Sequence, residues 1–138
     1  MELNKLDIET AKKSGRVEEI VLMIADRLID NGNMIMHYNN HEFYFQEVEY
    51  ANPMDFSSTT RISVILPRYI EWDTPFSCGV SYDNTYGKNS KTTYLNRCKA
   101  CMELSEEFVY KVLPKVDYWI KKEVNNIEIE KVLEVLDD

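Results

Sequence analysis

The chain has 138 residues, 44% of them hydrophobic and 29% charged, and a formal net charge of −8. That size and apolar content suit one domain, residues 1–138, while the acidity disfavours duplex nucleic acid and anionic membrane surfaces, which attract clustered Lys and Arg. Three cysteines make no disulfide framework, and no apolar run approaches the roughly 20 residues of a membrane span, so a reducing cytoplasm is the expected setting.

Met1 to Lys13 alternates charged and apolar residues without a signal-peptide core. Val17, Ile20, Val21, Ile24 and Leu28 then recur at three and four, which lays one apolar stripe along a helix. Asn31-Gly32 supplies its left-handed stop. Ser14-Gly15 interrupts or starts that helix, leaving residues 7–13 as a separate turn.

A β-hairpin follows over 34–38 and 41–49. Asn39-Asn40 tolerates the positive φ that a two-residue type I′ turn needs. Closing on it pairs Tyr38 with His41, Met36 with Phe43 and Met34 with Phe45. These six side chains share one face, and His37 and Glu42 fall on the mixed face opposite. Two further strands are expected near 59–66, where Thr60, Ile62, Val64 and Leu66 alternate with Arg61, Ser63 and Ile65, and near 76–82, where Phe76, Cys78, Val80 and Tyr82 alternate with small residues. Pro67 and Pro75 bound a loop that carries Tyr69 and Trp72.

Helical spacing resumes with Leu95, Cys98, Met102, Val109, Val112, Val116, Trp119 and Ile120, a stripe that Pro114 must kink or divide. Asn125-x-x-Glu128 reads as a capping box opening a last helix, with Ile129, Val132, Leu133 and Leu136 inward. The expected class is α+β: an N-terminal helix, an antiparallel sheet of about four strands, and two or three C-terminal helices.

Catalytic signatures are missing. The sequence has no Gly-x-Ser-x-Gly, no Gly-rich phosphate loop and no His-Glu-x-x-His. Cys98-x-x-Cys101, Cys78 and one histidine have the ligand types for zinc, but Cys78 and Cys98 sit at apolar positions, where a free thiol acts as a small hydrophobe. His37 and His41 point to opposite faces of the hairpin. No catalytic residue, metal or cofactor is therefore expected.

Charge is uneven along the chain. Between 78 and 101, Lys88, Lys91, Arg97 and Lys99 outnumber Asp83 and give +3 in an otherwise acidic protein. The stretch Ser81–Tyr94 combines aromatics, amides, hydroxyls and lysines, as adaptable binding loops do. Tyr82, Tyr86, Lys88, Lys91 and Arg97 are the candidate ligand-binding residues, for a small anionic ligand or nucleotide signal. The acidic remainder suits a basic protein partner, steered by charge. Glu42, Glu47 and Glu49, expected on or near the mixed face, and Tyr69 and Trp72, expected exposed, are the candidate partner-binding residues.

In its small size, acidity, lack of motifs, α+β order and usage rich in Asn, Lys, Ile, Glu and Tyr, the chain resembles bacterial immunity proteins and phage-encoded anti-defence inhibitors, anti-CRISPR proteins among them. The resemblance implies a non-enzymatic inhibitor that blocks a nucleic-acid-processing partner. A small-ligand sponge using Tyr82–Arg97 is the alternative, and a hydrolase assembled without a motif is third.

Overall fold

The computed structural model describes residues 5–51, 58–67 and 78–136. The first element is a short strand, β1 (Lys5–Asp7), followed by helices α1 (Ile8–Lys13) and α2 (Val17–Asn31). The break between the helices falls at Ser14-Gly15. Ser14 Oγ donates to Ala11 O, and Gly15 takes a φ of +73°. Gly32 ends α2 as expected, also at φ +73°, its N–H donating to Leu28 O at 2.8 Å.

The hairpin β2 (Met34–Tyr38) and β3 (His41–Ala51) closes on Asn39 and Asn40, both at positive φ. Its register is Met34 with Phe45, Met36 with Phe43 and Tyr38 with His41, as the alternation predicts. β4 (Ser58–Ile65) and β5 (Gly79–Asp83) extend it into a four-stranded antiparallel sheet. β1 adds a fifth strand, parallel to β2, at the far edge, so the order is β1-β2-β3-β4-β5. Phe76 lies outside the described residues.

One face of the sheet carries the core. Met34, Met36, Tyr38, Phe43, Phe45, Ile62 and Val64 lie buried beneath Ile20, Ile24 and Leu28 of α2 and the C-terminal helices. Those helices are α3 (Lys91–Glu107) and α4 (Leu113–Leu136), joined by a π-helical turn at Phe108–Val112. Phe108 plugs the centre, edge-on to Phe43 at 5.5 Å and Phe45 at 5.2 Å.

The π turn explains how the helix passes Pro114. Proline has no N–H to donate, and its ring collides with the carbonyl four residues back. Widening the preceding turn, with Leu113 N–H bonded to Phe108 O, relieves that crowding without a break. Two expectations are corrected here. α4 runs straight through Asn125-x-x-Glu128, so no capping box opens a further helix, and Leu133 is exposed. The buried residues of α3 are Thr93, Ala100, Cys101, Leu104 and Ser105, continued by Phe108 of the π turn, while Leu95 is 56% exposed. Cys98 is only half-buried, whereas Cys78 and Cys101 sit in the core, where burial pushes both thiols up to about 12.

At the hairpin end, Tyr38 Oη donates to Asp117 Oδ1, and Lys12 Nζ lies 3.3 Å from Tyr38 Oη and 3.6 Å from Asp117 Oδ2. This polar clasp ties α1, β2 and α4 together. Among the described residues no helix is long and apolar enough to cross a membrane.

Candidate functional site

The other end of the same sheet face is different. Strand alternation places Glu47 and Glu49 on the side that buries Phe43 and Phe45, opposite Ile62 and Thr60. This corrects the expectation that they lie on the mixed face. Only Glu42 is there, its Oε1 3.5 Å from His37 Nε2. Tyr69 and Trp72 lie outside the described residues.

Where the glutamates replace the phenylalanines, a cleft of about 770 Å³ opens. Glu47, Glu49, Thr60 and Tyr82 form its floor. The loop 84–90 and the first turns of α3 form one wall, with Asn33 on the other side.

Local chemistry holds that wall in place. Asn84 closes the loop against β4: its N–H donates to Ser58 O at 3.0 Å and its Nδ2 to Ser58 Oγ at 2.7 Å, and its Oδ1 accepts from Thr60 Oγ1 at 3.2 Å. Tyr86 and Gly87 adopt left-handed φ and turn the chain. Ser90 caps α3, its Oγ accepting from Thr93 N–H at 3.1 Å. Thr93 Oγ1 in turn donates to Thr85 O at 2.7 Å. The first turn of a capped helix thus faces the cleft.

Arg97 stands at the base. Its Nε and Nη2 grip Glu47 Oε1 and Oε2 at 3.0 and 3.1 Å. Nη2 also donates to Leu28 O at 3.0 Å, and Nη1 to Ile29 O, the last carbonyls of α2. The guanidinium therefore caps one helix, pairs with one strand and belongs to another helix. Arg97 and Glu47 side chains are 22% and 17% exposed. Burial opposes the arginine's charge, but Glu47 outweighs it and raises the pKa further. A Cβ on Gly32 would be strained by the positive φ and would stand 3.1 Å from Glu47 Oε2, close enough that the carboxylate would have to shift. Tyr82 Oη donates to Glu47 Oε1 too. Burial, then that bond, pushes the Tyr82 phenol up to about 12.

Nearer the mouth the groups are looser. Lys88 pairs with Glu49 and is 68% exposed. Lys91 pairs with no carboxylate among the described residues, and Tyr94, 54% exposed, also lines the cleft.

Of the five candidate ligand-binding residues, Tyr82, Lys88, Lys91 and Arg97 line the cleft. Tyr86 does not; it is 89% exposed on the turn. Glu47 and Glu49 join the cleft from the candidate partner-binding set. Asn33 and Thr60 carried no sequence signal. For the two glutamates the signal existed: they continue the odd-numbered parity of Phe43 and Phe45. No protein-family model, no curated protein and no solved structure matches the chain.

Proposed function

We propose that the protein is a cytoplasmic binding protein whose cleft takes a small anionic ligand with a polar body. One observation carries this reading: a single cleft gathers Tyr82, Lys88, Lys91 and Arg97 with the amides of Asn33, Asn84 and Asn89 and the hydroxyls of Thr60, Ser90 and Thr93. Its volume falls in the range of about 300–1,000 Å³ typical of small-molecule sites. Binding rather than turnover suits the lining. No histidine or cysteine is among the residues that line it, and both carboxylates are engaged by cations. A panel of anionic metabolites screened by thermal shift should raise the melting temperature for at least one compound. Lys91→Glu should abolish that rise without lowering the melting temperature of the free protein. A silent panel, or a rise that Lys91→Glu leaves intact, would contradict the reading.

A second reading, the blocking of a nucleic-acid-processing protein, is favoured by the opposite sheet face. There Tyr44 and Ile65, paired across β3 and β4, stand exposed near Glu42, and Tyr50 is exposed further along β3. Exposed aromatics next to an acid suit a basic partner. Glu42→Lys with Tyr44→Ala should then abolish binding to such a partner while leaving ligand-induced stabilisation unchanged. Undiminished partner binding by that double variant would exclude this face.

A further inference from the structure

Many of the cleft's polar groups are already satisfied within the protein. Arg97 spends its fork on Glu47 and on Leu28 O and Ile29 O. Asn84 is engaged with Ser58 and Thr60. Ser90 and Thr93 are engaged with Thr85 and with each other. Asn33 Oδ1 accepts from Glu47 N–H at 2.9 Å, which leaves its Nδ2 open. The Asn89 amide and the Lys91 ammonium have no partner among the described residues. The N–H groups of Lys91 and Thr92, in the first turn of α3, have no intrahelical acceptor, and Ser90 takes the next two, Thr93 N–H on its Oγ and Tyr94 N–H on its carbonyl. Apart from Asn89 Oδ1, the open groups around the cleft are donors, and one is a full positive charge.

The charge count sets how much anion fits. Lys88, Lys91 and Arg97 face Glu47 and Glu49, an excess of one positive charge inside a protein of net charge −8. One excess positive charge offsets a larger share of a monophosphate's charge, about −1.5 to −2 at pH 7, than of a polyphosphate's. The cleft is too large for phosphate alone, and two features say what else it holds. Among the described residues Glu49 is held only by the exposed Lys88, so its carboxylate is available to accept from hydroxyls once that lysine turns to an anion. Tyr94, half exposed and three residues after Lys91 on α3, lines the cleft, and an aromatic ring there suits stacking on a flat heterocycle.

We infer that the ligand is a nucleoside monophosphate: phosphate at Lys91, Lys88 and the first turn of α3, ribose hydroxyls at Glu49, and base against Tyr94. This rests on the ligand-binding reading above. Arg97 is a positioning residue here, holding Glu47 and α3 in place without touching the phosphate.

Calorimetric titration of the intact protein with AMP, GMP, CMP, UMP, adenosine, inorganic phosphate, ATP and citrate tests it. At least one nucleoside monophosphate should bind, with adenosine and phosphate each at least tenfold weaker and ATP weaker than AMP. Lys91→Gln should weaken the monophosphate about tenfold and leave adenosine unchanged. Tyr94→Ala should weaken monophosphate and nucleoside together and leave phosphate unchanged. Both side chains are exposed, so melting temperatures near wild type are expected for the variants. Phosphate binding as tightly as every nucleotide, or citrate binding while no nucleotide does, would overturn the nucleotide assignment and leave the ligand-binding reading standing. Heat from none of the eight compounds would overturn the assignment, and a silent thermal-shift panel as well would remove the binding reading with it.

Discussion

The two halves of β3 put the same face of one strand to opposite uses. From Phe43 to Phe45 that face is sealed under Phe108 and α2. Two and four residues further on it carries Glu47 and Glu49, which line an open cleft. Parity is continuous; only the cover changes. A carboxylate on the core parity of a strand must find a cation, and Glu47 obtains one from Arg97 together with the Tyr82 hydroxyl. The comparison separates structural charge, deep in the cleft, from available charge at its mouth.

Truncation in the sealed half should give the largest effect. Phe45→Ala removes a fully buried ring and one side of the Phe108 packing, and should cost about 3–5 kcal/mol in urea unfolding. A loss below 1 kcal/mol would mean that this half is not packed as described.

Next comes the brace. Arg97→Ala leaves the largely buried Glu47 with the Tyr82 hydroxyl but no cation and frees the Ile29 carbonyl of α2, so a loss of about 2–4 kcal/mol is expected. The double change Arg97→Met with Glu47→Leu should recover most of that loss, because it removes both charges together. No recovery would mean that the capping of α2, and not the ion pair, is what matters.

A smaller effect should appear at alkaline pH. The folded protein keeps the Tyr82 proton up to about pH 12, whereas an ordinary tyrosine loses it near 10. A raised folded pKa means that the contribution is complete below pH 10 and is lost as pH rises through 12. The stability difference between wild type and Tyr82→Phe should shrink over that window by on the order of 1–2 kcal/mol. A difference constant with pH would show that the phenol is not buried against Glu47.

The smallest change is expected at the mouth. Lys88→Ala removes an ion pair whose lysine is mostly in solvent, and should alter stability by less than about 1 kcal/mol. A larger loss would place Lys88 with the structural charges.

Much of this frame was legible before the fold was known, for reasons that are local. Asn39-Asn40 dictates its turn, the turn dictates the register, and the register assigns every side chain of β2 and the first half of β3 to a face. β1 was not legible. Three residues pairing in parallel across two intervening helices leave no signal in Lys5-Leu6-Asp7 themselves. In α3, Leu95, Cys98 and Met102 share helical spacing just as Cys101, Leu104 and Phe108 do. Which set is buried depends on where β5 and α2 pack, a long-range matter that periodicity cannot see. The basic, amide-rich stretch after β5 pointed to the wall of the cleft. Its floor was missed because Glu47 and Glu49 look like solvated charges unless their parity is followed past Phe45.

The division of β3 into a sealed half and a ligand-facing half can be tested residue by residue. Backbone amide NMR during titration with the tightest-binding nucleoside monophosphate should move Glu49, Asn89, Lys91 and Thr92 in one saturable process. Tyr38, Phe43, Phe45 and Asp117 should stay in place. Shifts confined to Tyr38, Asp117 or the outer face at Tyr44 and Ile65, with the α3 amides unmoved, would contradict the account.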